Sequence, residues 1–338
     1  MADHAIIVVG ASMGGVEALT TLAAGLPPDL PAAVFVVLHT TARPSFLPDI
    51  LRRAGNLPVA EVSDGGVIQA GRIYVAPAGH HLLVARAHMH VVEGSRENGF
   101  RPAIDPLFRS AARAYGRRAI GVVLSGMLDD GTAGLLTIKA RGGLAVVQDP
   151  AEALAPSMPK SALAYVAVDY TVSLAEMGPL LARLAAKATR RTMEDGDMET
   201  APEFGAERPF DEINDHVGIP TRFSCPECNG VLSELREGTL LRFRCQIGHT
   251  YSPQSVLAAQ TAATQRALSS AVTAVNERGI LLRRLALEAD ERQDHLASRR
   301  FEARARDAEE RLSQMNHLLY AAHASLEDSE EGAMDEPA

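Results

Sequence analysis

A chain of 338 residues, 46% of them apolar, exceeds a single ordinary core and divides into two or three folded units. Its formal net charge of -9 argues against nucleic acid as its main partner, because phosphate demands a basic surface. No run of about 18 apolar residues is present to span a bilayer, and MADHAIIVVG lacks the basic flank of a signal peptide, so the expectation is a soluble cytoplasmic chain.

Up to about residue 185 apolar strands alternate with Gly-rich loops and Ala/Leu-rich helices. The strands expected are 5–9, 32–39, 72–77, 88–93, 120–126 and 144–149, with continuous β-branched runs that suit strands buried on both faces. This pattern predicts an α/β fold with a doubly wound, mostly parallel sheet and a hairpin around 72–93 as its irregular part. The domain reading is 1–188 for this unit, then an acidic linker (189–220), a compact Cys/His unit (221–252), a helical region (253–328) and an acidic tail (329–338). Leu268, Val272, Val275, Leu282 and Leu285 follow helical spacing, as do Ala308, Leu312, Met315 and Leu319, which predicts two helices broken near 289–295. They pack as a hairpin or onto a partner, self-association included.

The turn Gly10-Ala-Ser-Met-Gly-Gly15 follows the first strand and opens a helix. As a dinucleotide site it fails twice: Ser12 replaces the middle glycine, and the second strand ends in His39 rather than an acid for the ribose. The same letters spell G-x-S-x-G, the elbow that holds a serine hydroxyl above a sheet at a helix N-terminus. A serine needs a base. His39 closes the neighbouring strand, and His80 and His81 compete with it. Asp129 and Asp130, in VVLSGMLDDGTAGL, offer a third member, and spacing alone does not choose between them. The order Ser…His…Asp differs from the Ser…Asp…His of α/β-hydrolases.

With these residues in place, the first ~185 positions resemble the catalytic domain of the CheB-type chemotaxis protein-glutamate methylesterases. The blocks IIVVGASMGG, VFVVLHT, IYVAPAGHHLLV, RPAIDPLFRSAA, VVLSGMLDDGTAGL and GGLAVVQDPAEALAPSMPKSAL carry the resemblance together. It implies a Rossmann-like methylesterase domain, with Ser12 as nucleophile, His39 as base and Asp130, through G-M-x-x-D-G, as the aspartate. It also places the Met127 N–H at the oxyanion, beside which the Met13 N–H is a second natural donor. The implied reaction is hydrolysis of glutamate γ-methyl esters on chemoreceptor helices through an acyl-enzyme, with glutamine deamidation in some members, and with no cofactor for catalysis. Protonation of His39 removes the base, so activity is expected to fall in acid. Arg43 and Arg101 are basic loop residues that suit an acidic receptor surface. Met13 and Leu128 depart from the family pattern, and no phosphoacceptor domain precedes the first strand, which suggests a stand-alone member.

All three cysteines lie within Cys225-x₂-Cys228-x₁₆-Cys245-x₃-His249. Three thiolates and an imidazole satisfy tetrahedral zinc with no open position, so a structural, zinc-ribbon-like site is expected, its gap closed by a β-hairpin over 231–244. Arg222, Arg236, Arg242 and Arg244 make this unit locally basic, and docking to protein fits them better than nucleic acid. The leading expectation is an esterase whose C-terminal half targets, inhibits or oligomerises. The alternative is a divergent esterase fold acting as an interaction protein through its zinc and helical regions.

Overall fold

Val, Ile and Ala fill the strand of Ala5–Ala11 (β1), and every side chain of it is out of water. Successive side chains alternate in direction, so Ala5, Ile7, Val9 and Ala11 join one apolar cluster and Ile6 and Val8 the other. A strand buried on both faces belongs inside a helix-covered parallel sheet. The computed structural model, which describes residues 4–39, 45–60, 62–195 and 218–332, has that arrangement.

After β1 come α1 (Gly15–Gly25), β2 (Ala32–Leu38), α2 (Leu47–Ala54), β3 (Val59–Ala60), β4 (Arg72–Val75), β5 (His81–Val84) and β6 (Met89–Val92). Then follow α3 (Ile104–Tyr115), β7 (Ala119–Val123), α4 (Thr132–Ala140), β8 (Leu144–Gln148), α5 (Ser157–Tyr165), β9 (Tyr170–Val172) and α6 (Leu174–Asp195). The seven-stranded sheet runs β3-β4-β2-β1-β7-β8-β9 with every pair parallel. The cluster with α1, α2 and α6 covers one face, and α3, α4 and α5 cover the other.

The expected hairpin is narrower than 72–93. Arg72–Val75 pairs in parallel with β2, and only β5 and β6 form the hairpin, a separate two-stranded sheet. The chain leaves β1 toward β2 on one side and returns to β7 on the other. The carboxyl ends of β1 and β7 therefore flank the switch point, where sheets of this class open a crevice.

Two glycines hold that edge. A Cβ on Gly10 would come within 2.4 Å of Ile104, so its absence lets the start of α3 lie against β1. Gly14, at φ 72°, starts α1 from the left-handed region that a side chain disfavours.

Beyond α6, β10 (Ile219–Ser224), β11 (Val231–Glu237), β12 (Leu240–Cys245) and β13 (Thr250–Tyr251) form an antiparallel sheet in chain order. The β11–β12 hairpin is the one expected. These strands form one unit with the α/β layers, residues 1–256. The second unit, residues 257–338, consists in its described part of two helices, α7 (Pro253–Glu291, whose first turn belongs to the first unit) and α8 (His295–Gly332). The break between them falls where expected, and Ala286, Ala289, Ala305 and Ala308 are buried within the pair. Arg283 Nε donates to Glu309 Oε1 at 2.6 Å across it. The acidic stretch 196–217 and the last residues, 333–338, lie outside the described residues, and no described helix is long and apolar enough to cross a membrane.

Candidate active site and metal centre

Parallel register brings the first two candidates together. Ala11 of β1 pairs with Leu38 of β2, so Ser12 and His39 leave adjacent strands side by side. The His39 N–H donates to the Ala11 carbonyl at 3.1 Å, and the Ser12 N–H to the Ser125 carbonyl beyond β7 at 2.9 Å. His39 Nδ1 lies 3.1 Å from Ser12 Oγ, and its Nε2 lies 2.7 Å from Asp130 Oδ2. A carboxylate only accepts, so Nε2 carries the proton and Nδ1 is left to accept the serine hydroxyl. The two ring nitrogens thus exchange the parts they take in the serine-protease arrangement. The His39 and Asp130 side chains are 3% and 2% exposed. Phe100 stacks flat on the imidazole, with centroids 3.7 Å apart and planes within 6°. An aromatic face there fixes the plane of the ring.

Asp130 sits in a nest of donors. Its Oδ2 also accepts the Ile104 N–H at 2.7 Å, and its Oδ1 accepts the Asn98 amide at 2.9 Å, the Gly131 N–H at 3.0 Å and the Asp105 N–H at 3.2 Å. Two of these are the free amides at the start of α3, where the helix dipole favours an anion. Burial pushes the carboxyl up, but the hydrogen bond and charge of His39, the Ile104 N–H and the Asn98 amide outweigh it and hold Asp130 well below the usual carboxylate range.

Asp129 points elsewhere. It accepts the Ser252 hydroxyl at 2.8 Å, and burial raises its carboxyl. The competing histidines stand apart as well. Buried His81 donates from Nε2 to the Ser95 carbonyl at 3.0 Å and accepts the Ala103 N–H at 3.2 Å, while His80 Nδ1 donates to the Ala78 carbonyl at 3.2 Å. Arg101 donates to the Gly94 carbonyl at 2.7 Å. Arg43 lies outside the described residues.

Around Ser12 the loop is braced by groups that sequence reading missed. Ser125 Oγ donates to the Met13 carbonyl at 2.7 Å and accepts the Ala155 N–H at 2.9 Å, and the Ser125 N–H donates to buried Gln148 at 2.8 Å. A Cβ on Gly126 would approach Ser12 Cβ to 2.9 Å, so the following residue, Met127, starts beside the hydroxyl. Among the described residues neither the Met13 nor the Met127 N–H makes a hydrogen bond. Leu128 takes φ 61°, the conformation in which glycine is at ease.

Asn98 is the other group sequence reading missed. It opens the Asn-Gly turn of 97–100, with φ 52° at Asn98 and 81° at Gly99, and the Asn-Gly dipeptide is the signal that marks such a turn. Its Nδ2 donates to Asp130 and, at 3.2 Å, to Asp105 Oδ2, while Oδ1 accepts the Ser252 N–H and the Ser255 hydroxyl at 3.1 Å each. All four hydrogen-bonding positions of the amide are filled. Asp105 Oδ1 in turn accepts the Gly131 and Gly134 N–H groups at 3.0 and 2.7 Å, capping α4. Burial first, then the Asp130 charge, pushes the Asp105 carboxyl up, and Arg242 opposes them.

The second candidate site closes on itself. The donor atoms of Cys225, Cys228, Cys245 and His249 lie within 4.8 Å of one another. Cys228 Sγ is 3.6 Å from Cys245 Sγ, and His249 Nδ1 is 3.6 Å and 3.5 Å from the sulfurs of Cys225 and Cys245. Metal–sulfur bonds of about 2.3 Å toward tetrahedral corners separate sulfurs by roughly 3.8 Å, so the donors fit such an ion. Glu227 lies 3.3 Å from His249 Nε2, the kind of carboxylate that orients a ligating imidazole. Arg242, read as part of a basic surface, is instead buried. It pairs with Glu97 at 2.7 Å and Asp105 at 3.2 Å, because β12 lays it against the carboxylates behind the first site.

A family model described as CheB methylesterase matches residues 7–181. Protein-glutamate methylesterase/protein-glutamine glutaminase 2 of Anaeromyxobacter dehalogenans is 39% identical over 180 residues, 53% of this chain and 53% of that one. A putative protein-glutamate methylesterase/protein-glutamine glutaminase of Leptospira interrogans is 39% identical over 186 residues, 54% of this chain and 95% of that one. The crystal structure of the Thermotoga maritima CheB methylesterase catalytic domain superposes with a TM-score of 0.51 at 32% identity, covering 54% of this chain and 98% of that domain. This chain therefore spans about half the length of the Anaeromyxobacter relative. The match ends at residue 181, before the ribbon and the helical pair. The chain belongs to the CheB methylesterase family of hydrolases.

Proposed function

We propose that this chain hydrolyses γ-methyl esters of glutamate on chemoreceptor-type protein helices in the cytoplasm, releasing methanol, and deamidates glutamine at the same site. The observation that carries the reading is the continuous Ser12–His39–Asp130 hydrogen-bond line at the switch point of the sheet, at 3.1 and 2.7 Å. His39 Nδ1 takes the Ser12 proton as Oγ attacks the ester carbonyl, and Asp130 holds the imidazolium that forms. The Met13 and Met127 N–H groups receive the oxyanion. His39 then returns its proton to the leaving methanol. Water, with His39 again as base, cleaves the acyl-enzyme to glutamate and free Ser12.

The closed Cys225, Cys228, Cys245 and His249 set suits structural zinc, leaving no open position for substrate. The domain reading becomes a catalytic part that closes with α6, which runs to Asp195 and so past the expected boundary at 188, with an appended metal module. Exposed Ile280, Leu281 and Leu287 favour self-association through the helical pair.

The test is methanol release from membranes bearing methylated receptors, with the full chain, Ser12→Ala and His39→Ala. Each variant is expected to lose on the order of 10⁴–10⁶ in rate. Equal release by Ser12→Ala and the parent chain overturns the mechanism.

A further inference from the structure

The ribbon lies outside the family match yet supplies groups that stand directly behind Asp130, and from this we infer that it is a positioning unit for the triad: Asn98 and Arg242 relay its metal-held geometry to Asp130. The inference rests on the Ser12–His39–Asp130 reading.

Several links run from the ribbon to the α/β layers. Ser252 and Ser255, just past β13, hold the Asn98 carbonyl oxygen, and the same amide donates to Asp130 Oδ1. Arg242, on β12, spans Glu97 and Asp105, and Asp105 shares the Asn98 amide and the Gly131 N–H with Asp130. The Asn98 N–H itself donates to the Thr250 carbonyl at 2.7 Å, and Ser95 Oγ donates to the Ile247 carbonyl at 2.7 Å. The segment 95–100, which carries both Asn98 and the Phe100 ring over His39, is therefore clamped by the ribbon.

The clamp is tied to the metal ligands by sequence. Cys245 and His249 bracket the turn between β12 and β13, three residues after Arg242 and three before Ser252. Tyr251, fully buried, places its hydroxyl 3.7 Å from Cys225 Sγ. An ion gripping Cys245 and His249 fixes the spacing of the two strands that present Arg242 and Ser252. Without it a sheet with so few buried side chains has little else to hold that spacing.

Electrostatics gives the clamp a signature that packing alone does not have. Glu97, Asp105, Asp129 and His81 act on Asp130 through charge, and Arg242 acts in turn on Glu97, Asp105 and Asp129. Arg109 pairs bidentately with Glu97, at 2.8 and 2.6 Å. Arg242 is thus a cation that the ribbon sets against buried Glu97 and Asp105 and half-buried Asp129. Its removal leaves Glu97, Asp105 and Asp129 less neutralised, and that added negative potential behind Asp130 is what the pH profile reads.

The test follows covalent labelling of Ser12 by a fluorophosphonate in the full chain loaded with zinc, as a function of pH. Asn98→Ala is expected to slow labelling about 10–100-fold, the range for loss of an outer hydrogen-bond partner. Ser252→Ala, the milder variant, is expected to slow it several-fold. Arg242→Met should move the acid limb of the rate profile to higher pH, and Arg242→Lys should bring it back. Stripping the zinc, with metal content measured, should slow labelling and speed hydrogen exchange at the Asn98 amide. Wild-type labelling with an unmoved acid limb in Asn98→Ala, Ser252→Ala, Arg242→Met and the stripped chain overturns the coupling and leaves the esterase reading intact. Absence of Ser12 labelling in the unaltered chain overturns both.

Discussion

In β1 every residue from Ala5 to Ala11 is buried, whereas in β10 five of the six residues from Ile219 to Ser224 are exposed. The parallel sheet is held by apolar area on both faces, each buried Val or Ile contributing about 1.5–3 kcal/mol. The ribbon has no such reserve. Its buried residues are Cys225, Leu232, Arg242, Phe243, Cys245, Thr250 and Tyr251, of which two are metal-ligand candidates and one is an ion-paired guanidinium. One region folds by excluding water. The other gathers the Cys225, Cys228, Cys245 and His249 donor set and pairs its buried charge with its neighbour.

The sharpest way to break this comparison is to remove the metal. Metal binding supplies roughly 10–16 kcal/mol in peptides of this ligand type, more than a ribbon this small gains by burial. A chelator, or Cys245→Ser, is expected to abolish amide protection over 219–251 while the amides of β1, β7 and β8 stay protected. Hydrogen exchange read by mass spectrometry distinguishes the regions. Uniform loss or uniform retention would show that they do not differ in this way.

A smaller effect is expected where the regions meet. Glu97 is buried between Arg109 and Arg242; burial pushes its carboxyl up, but the two guanidiniums pull it below its ordinary value. Glu97→Gln leaves both cations without that partner, and breaking a buried pair in this way costs about 3–5 kcal/mol. The denaturant midpoint of the full chain is the measurement. A change within experimental scatter would mean that the interface is not sustained by charge.

How much of this was legible depended on chain distance. Ser12 and His39 could be read because each directly follows an apolar strand, and parallel register sets neighbouring strand ends side by side. Spacing left Asp129 and Asp130 equal. They differ only in where the loop turns them, one toward the start of α3 and the other toward Ser252. β3 and β9, of two and three residues, are too short to show a period. Arg242 looked like surface basicity because its acidic partners, Glu97 and Asp105, lie more than 130 positions earlier. Asn98 was announced as a turn by Asn-Gly, but nothing local says that its amide touches both Asp130 and Ser252.

Acid sharpens the comparison further, since the donors around Asp130 come from both regions. The folded pKa of Asp130 is depressed, so its contribution to stability is fully present above its unfolded pKa, near 3.9, and is lost as pH falls toward the folded value. Asp105 runs the opposite way: its raised pKa penalises the folded state as pH rises above the same point. Asp130→Asn is therefore expected to flatten the loss of stability between about pH 5 and 3 by about 1–2 kcal/mol. Urea midpoints across that range, parent against variant, decide it, and parallel curves would remove Asp130 from the acid response.

The smallest effect concerns strain on the α/β side alone. Leu128 holds φ 61° between Met127 and the aspartates, and a side chain in the left-handed region costs roughly 1–2 kcal/mol. Leu128→Gly relieves that strain but gives the unfolded chain more freedom, worth about 0.5–1 kcal/mol. The net is a stabilisation of up to about 1 kcal/mol, read as a higher urea midpoint. Neither the metal site nor the Arg242 pairs touch Leu128, so the gain should persist after zinc is stripped. A gain that vanished with the metal would mean that the ribbon, and not the strand β7, sets the shape of the loop carrying Asp130.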